Sequence, residues 1–288
     1  MMESKPVKGL FIGLNTIDMQ FIVEKYPGEN QKAKATDYGL HTGGPATNAA
    51  ITFAHLGGDS HLVSSFGQHS FTQLVYDDLH KRKVETTDLT PERSCHPVFA
   101  SVITTKTTGK RSIVSYHPDY HNYCDITLDN FPIGPFNIIL ADSFYIDAAL
   151  ELIKKVNKKI PVVLDGGSWK EGLEKLLPYV DIAICSFDFY PPGTSNSGEV
   201  ISFLREQGIT KIAITHGSKP ILVRDNQDVY ELPIEKIIAV DTLGAGDVFH
   251  GSFCYYYAQT QDFKTSLVNA SKVAAQSCKH YGTRSWME

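Results

Sequence analysis

From residue 136 onward the chain alternates short, nearly continuous apolar runs with segments that carry apolar residues at helical spacing. Nothing else in the sequence restricts its fold as much. The runs at 137–141, 161–164, 181–185 and 211–215 lack the polar/apolar alternation of a half-solvated strand, so they predict strands buried on both faces. The segments 147–158, 170–177 and 198–207 predict the helices between them. Strand, helix and strand in repetition imply parallel neighbours joined by right-handed crossovers. The expectation is therefore an α/β fold with a doubly wound, mostly parallel sheet flanked by helices. The apolar runs 7–14 and 61–66, the latter followed by a helix near 70–83, add to the same sheet. A hairpin is expected over 220–223 and 229–232, and a last helix over 263–279 with Leu267, Ala270, Val273, Ala274 and Ser277 on one face. With 288 residues and 42% apolar composition, one domain spanning 1–288 is expected to hold the core.

Two stretches depart from the strand–helix rhythm. Residues 19–42 are polar or alternating with no helical pattern. Residues 97–117 alternate through Val98, Ala100 and Val102, turn at 106–110 and return through Ile113 to Tyr116, which predicts a β-hairpin. The two together predict a small separate sheet. Arg111, just past the turn, faces either solvent or a hydroxyl- or anion-bearing substrate.

Charge and cysteine usage remove whole classes of function. The net charge is −5, and no Lys/Arg run is long enough for a nucleic-acid or lipid patch. Five scattered cysteines without CxxC spacing support neither a disulfide framework nor a zinc site, so a reducing, cytoplasmic setting is expected. The run 7–14 is too short to span a membrane. No GxxxxGK[ST] loop occurs, and no GxGxxG follows the first strand, which argues against a plain dinucleotide-binding dehydrogenase.

Two motifs carry chemistry. In the first, the β-branched run 237–240 leads into Asp241-Thr242-Leu243-Gly244-Ala245-Gly246-Asp247, and an apolar helical face begins at Val248. Strand, tight turn and helix start are expected, with the N–H groups over Gly244, Ala245, Gly246 and Asp247 forming an anion hole. Asp247 beside such a hole could take a proton from a hydroxyl during phosphoryl transfer. It could equally be a first-turn residue that stabilises the helix dipole. The second motif, Gly43-Gly44-Pro45-Ala46-Thr47-Asn48, opens a helix with a small-residue face. Asn48 there could bind vicinal hydroxyls or satisfy local backbone. Asp18, beyond the first strand, lies where ligands gather in open parallel sheets, or caps a turn.

The Asp241 to Asp247 motif followed by Val-Phe, with the Gly-Gly-x-Ala-x-Asn motif after a strand ending in Asp, closely resembles the ribokinase family, the phosphofructokinase-B-type sugar kinases. The resemblance runs in order through essentially the whole chain. It implies an ATP-dependent phosphotransferase with an alcohol acceptor, acting on a ketose or furanose, with Mg²⁺ and optionally a monovalent cation. By resemblance, Asp18, Gly43, Gly44 and Asn48 hold the sugar and Asp247 is the base. Thr215, Gly217 and Ser218 form the nucleotide-phosphate loop, and Lys170 is a basic residue near the phosphates. The small sheet at 19–42 and 97–117 would be the lid, through which many members form homodimers.

Two departures stand out. Many members carry Asn-x-x-Glu after the strand ending near Cys185 to organise Mg²⁺, whereas this chain reads Ser186-Phe187-Asp188-Phe189. Asp188 is the available substitute, because nucleotide phosphates complete most Mg²⁺ shells. Ketohexokinases are similar in this Ser-x-Asp, in Gly-Leu-x-x-x-Asp at 13–18 and in Tyr26-Pro27. Pro45 is the second departure: ketohexokinase has Asn and ribokinase Lys at that point, so a polar substrate contact is lost, and Pro45 with the run Asp165 to Lys170 looks more like bacterial sugar kinases related to sulfofructose kinase. A nucleoside kinase of the same fold, or an idle sugar- or nucleotide-binding sensor, are the alternatives.

Overall fold

In the computed structural model, residues 6–94, 96–118, 128, 131, 134–156 and 160–288 are described. Cys95, Cys124 and the end of the helix expected at 147–158 lie outside the described residues.

The chain opens with β1 (Lys8–Ile12), β2 (Thr16–Val23), β3 (Asp37–Gly43), α1 (Pro45–His55), β4 (Asp59–Ser64), α2 (Thr72–Lys81) and β5 (Val84–Asp88). It continues with β6 (Phe99–Thr105), β7 (Arg111–Tyr116), β8 (Ile138–Asp142), α3 (Ile146–Lys155), β9 (Val162–Gly166) and β10 (Ile182–Ser186). It closes with α4 (Ser197–Glu206), β11 (Lys211–His216), β12 (Lys219–Asp225), β13 (Asp228–Leu232), α5 (Ala245–Thr260) and α6 (Phe263–Ser277). Among the described residues nine strands form the main sheet, in the order β13-β12-β11-β10-β9-β8-β1-β4-β5. The run from β11 to β5 is parallel, and β12 and β13 are antiparallel. This is the doubly wound sheet expected from the sequence. All residues of β8 and β9 are buried, as unbroken apolar runs require.

A second sheet has the order β3-β2-β6-β7. Parallel pairing of β2 with β6 and antiparallel pairing of β6 with β7 join the two stretches that had broken the rhythm. One face of β6 is buried, whereas β7 is exposed throughout and presents Ile113, Val114 and Tyr116 to solvent. Among the described residues no helix is long and apolar enough to cross a membrane.

Three local expectations need correction. Residues 237–240 are not a strand: the Val240 and Asp241 N–H groups both donate to the carbonyl of Cys278, just past α6, rather than to the sheet. Residues 170–177 are not a helix but two 3-10 turns, Leu173–Lys175 and Leu177–Tyr179. Gly172 with φ of 89° and Pro178 interrupt helical hydrogen bonding there. Asp18 does not end the first strand of the main sheet, because β1 stops at Ile12 and Asp18 sits in β2 of the second sheet.

Helices α1 and α5 carry the two motifs and pack against one another through Gly251. A Cβ there would lie 2.3 Å from the Ala49 carbonyl oxygen and 2.8 Å from Thr52 Cβ. Main chain cannot rotate away, so Gly251→Ala forces the helices apart. The expected cost is about 1–3 kcal/mol, read as a lower melting temperature with the main-sheet circular dichroism retained.

Candidate active site

The site is built where α1, α5 and the second sheet converge. Gly244 caps α5 with φ of 68°, a left-handed turn that an L side chain rarely adopts. Its missing side chain also matters, because a Cβ would stand 2.6 Å from Thr283 Cγ2. Ala245 N–H turns back to the Thr242 carbonyl at 3.3 Å, and Val248 N–H bonds the Gly244 carbonyl at 2.8 Å. Between them, the first-turn N–H groups of Gly246 and Asp247 have no intrahelical acceptor. Both residues line a cleft of about 640 Å³.

Asp241 holds this turn in place. Its carboxylate is 2% exposed and accepts from Leu243 N–H at 2.9 Å, Gly282 N–H at 2.9 Å and Gln20 Nε2 at 2.9 Å. One buried side chain therefore ties the anion-hole turn to the second sheet and to the segment after α6. Arg111 donates to Thr242 Oγ1 from the start of β7 and lines the same cleft. The second sheet is thus seated directly on the turn.

Asp247 receives a hydrogen bond from Asn48 Nδ2 at 2.7 Å. Burial, followed by the negative charge of Asp165, pushes its carboxyl up to about 6 against the opposing bond from Asn48. Asn48 is itself spoken for at its other end, where Arg284 Nη1 donates to Oδ1 at 2.9 Å. One Nδ2 hydrogen and one Oδ1 lone pair of Asn48 are thereby used, and the second of each is left over. Asp18 accepts from Thr16 Oγ1 at 2.6 Å, and burial raises its pKa, opposed by that bond and by Arg284. Gly43 is pressed against it: a Cβ would fall 1.9 Å from Asp18 Oδ2. Gly44, at φ of 98°, precedes α1.

At the strand ends, β9 and β10 supply Asp165 and Ser186, and the loop after β10 supplies Asp188. Asp165 is 4% exposed, and its Oδ2 lies 3.4 Å from His250 Nδ1 without a hydrogen bond. The His250 ring also contacts the Gly246 carbonyl through Nδ1 at 2.7 Å and the Ile184 carbonyl through Nε2 at 3.0 Å. The pair couples the anion-hole turn to the sheet beneath it. Thr215, Gly217, Ser218 and Asp188 all line the cleft, as do the apolar Ile221, Ile234, Ala274 and Cys278. Lys170, like Asp18, Gly43, Gly44 and Asn48, does not line the cleft: its Nζ bonds Ser168 Oγ at 2.9 Å and lies 4.4 Å over the Phe144 ring. Burial lowers its pKa, opposed by Asp142 and Asp165.

Asp142, at the end of β8, binds the pieces together. It accepts from Leu14 N–H at 2.8 Å, Ala46 N–H at 3.3 Å and Phe144 N–H at 2.9 Å. The start of α1 and the junction between the sheets are thereby held to one carboxylate. The roles of Asp142, Asp241 and Arg284 escape sequence reasoning, since each acts on segments far away in the chain. Only the position of Asp142 after an apolar run carried a signal.

Among the described residues no group of three or more His, Cys, Asp or Glu could hold a metal ion. The exposed Asp188 and the buried, unbonded Oδ2 of Asp165 therefore suit a divalent cation completed by a ligand's own phosphates rather than a protein cage.

A family model described as pfkB family carbohydrate kinase matches residues 8–288. Ketohexokinase from Mus musculus is 20% identical, over 96% of this chain and 97% of the relative. Deoxyribokinase from Salmonella typhi is 23% identical, over 95% and 93%. Among solved structures, a nucleoside kinase from Methanocaldococcus jannaschii has a TM-score of 0.76 at 19% identity, covering 98% of this chain and 95% of its own. Arabidopsis thaliana ribokinase complexed with ribose and ATP has a TM-score of 0.73 at 19% identity, covering 97% and 94%.

Proposed function

The chain belongs to the pfkB family of carbohydrate kinases, whose model matches it from residue 8 to residue 288, and on that premise we propose that it transfers the γ-phosphoryl group of ATP to a hydroxyl of a small ketose or furanose. The observation that carries the reading is a single one. Asp247 stands among first-turn N–H donors at the wall of a cleft that is also lined by the apolar Ile221, Ile234 and Ala274.

In this mechanism the sugar lies between the second sheet and α1, held by Asp18, with Gly43 and Gly44 allowing the main chain close. The adenine lies against the apolar Ile221 and Ala274, and the phosphates lie along Thr215, Gly217 and Ser218. Asp247 takes the proton of the acceptor hydroxyl as its oxygen bonds to the γ-phosphorus. The bond from that phosphorus to the β–γ bridging oxygen breaks, and ADP leaves with the electron pair. The N–H groups of Gly246 and Asp247 take up charge on the moving group. Asp188 and Asp165 are the residues that would hold Mg²⁺, which neutralises phosphate charge when bound. The second sheet, with β2 and Arg111 on the anion-hole turn, forms the lid that excludes water as a competing acceptor.

The test is ADP release from Mg·ATP across ketoses, aldoses, sulfosugars and nucleosides. Turnover on one sugar supports the reading. Turnover on nucleosides alone replaces it with a nucleoside kinase. Binding of ATP or sugar without turnover on any acceptor replaces it with a sensor.

The pH profile is a second check. Asp247 works as a base only when ionised, and burial lifts its carboxyl to about 6. The rate at limiting substrate should therefore fall about tenfold per pH unit below about 6. A profile flat down to pH 5 would contradict the assignment.

A further inference from the structure

Arg284 is 4% exposed, lies in the segment after α6, and is linked to two elements, β3 and α1. Nη2 donates to the Thr42 carbonyl in β3 at 2.6 Å, Nη1 to Asn48 Oδ1 in α1 at 2.9 Å, and Nη1 also to the Thr283 carbonyl at 3.3 Å. Asn48 Nδ2 then donates to Asp247 Oδ2 in α5 at 2.7 Å. The order of these contacts decides how the site is set. A side-chain amide is nearly symmetric in shape, so packing alone leaves two orientations open. Turned over, it would press Oδ1 against the Asp247 carboxylate and an N–H against the guanidinium. The carboxylate only accepts and the guanidinium only donates, so the two together admit one orientation, the one in which Nδ2 faces Asp247, and Arg284 fixes it from the far side.

The segment around Arg284 is itself anchored. Gly282 N–H donates to Asp241 Oδ2 at 2.9 Å, and Trp286 Nε1 donates to the Thr283 carbonyl at 3.1 Å, with its ring 5.0 Å from that of His55. The charged groups around the relay are Asp18, Asp78 and Arg82 on the Arg284 side, and Asp165, His250 and Asp18 on the Asp247 side.

We propose that Arg284 is a positioning residue for phosphoryl transfer: it locks the Asn48 amide so that one oxygen of Asp247 is held by Nδ2 while the other is left for the acceptor hydroxyl. This rests on the reading of Asp247 as the accepting carboxylate. Arg284 does not touch the substrate in this scheme and acts through Asn48 alone.

Arg284→Lys keeps the charge and loses the fork. It and Asn48→Ala are each expected to lower kcat by about ten- to hundredfold with the sugar KM changed less than about threefold. Both should move the acid limb of the rate profile above about 6, because Asp247 loses the Asn48 donor outright in one and, in the other, the fork that fixes that donor's angle. The double variant should be no slower than Asn48→Ala, since both changes break one chain of contacts. An unmoved acid limb, a loss confined to KM, or losses that multiply would each overturn the proposal.

Two measurements keep the test independent of turnover and of variant folding. A ¹³C carboxyl titration, with the Asp247 signal assigned from Asp247→Asn, should show Asp247 titrating higher in the Arg284→Lys protein than in the wild type even if no acceptor has been found. An unshifted titration overturns the positioning role and leaves the kinase reading standing, whereas a silent substrate panel with a shifted titration does the reverse. A crystal structure of the wild type with acceptor bound should still show Arg284 on Asn48 Oδ1. An Arg284 turned onto the acceptor would make it a binding residue instead.

Discussion

Asp247→Asn is expected to cut turnover by about 10²- to 10⁴-fold while ATP and sugar still bind. The amide matches the carboxylate in shape, can present its oxygen to Asn48 Nδ2, and cannot take the acceptor's proton. The loss should not come from unfolding. The folded-state pKa of Asp247 is raised, to about 6. A raised carboxyl favours the fold below the unfolded value near 4 and loses that contribution as pH rises through 6, so at pH 7.5 the buried charge is a burden. Removing it should hold or raise the melting temperature at pH 7.5. Near-wild-type turnover in this variant would remove the base assignment. A collapse in melting temperature would instead place Asp247 among structural residues.

The parts of the molecule legible in the sequence are those set by short-range pattern. Parallel strands such as β8, β9 and β10 announce themselves because burial on both faces demands unbroken apolar runs. The left-handed cap at Gly244 follows from small residues before a helical face. What stayed hidden depends on partners distant in the chain. Residues 237–240 have strand-like side chains, but their main chain bonds Cys278 instead of a sheet neighbour. Lys170 sits in a run with helical spacing, yet Gly172 and Pro178 break it, and the ammonium lies over Phe144. Arg284 follows Gly282 and Thr283, and nothing local distinguishes it from a solvated cation. Its meaning comes only from contacts with Thr42 and Asn48, both more than 230 residues away.

These long-range contacts also explain why so few polar residues can organise the site. Asp142, Asp241 and Arg284 are each buried, and each joins segments that would otherwise move independently. Asp142 holds the start of α1 to the end of β1, Asp241 holds the anion-hole turn to β2, and Arg284 holds β3 to α1. The second sheet, α1 and the turn before α5 are thereby fixed to one another through side chains in the interior. In the proposed reaction that rigidity supplies orientation, since the acceptor oxygen and the γ-phosphorus must meet in line.

Gly43→Ala should separate the sugar side from the phosphate side of the reaction. A Cβ at this position would lie 1.9 Å from Asp18 Oδ2 and 2.7 Å from Oδ1, so no carboxylate rotamer near the observed one survives. Asp18 would have to swing away and surrender its 2.6 Å bond from Thr16 Oγ1. Hydrogen bonds to a charged group contribute about 1.5–3 kcal/mol each. A carboxylate that holds two sugar hydroxyls and is then displaced should raise the sugar KM by roughly 10²-fold or more. Thr215, Gly217 and Ser218, where the proposed reaction lays the nucleotide phosphates, line the cleft and Gly43 does not, so the ATP KM should stay within about threefold. Restoring room by pairing the change with Asp18→Gly should relieve the steric clash without recovering sugar affinity, because the carboxylate itself is then gone. Full recovery in that double variant would show that Asp18 only fills space, and that the sugar is held by other groups.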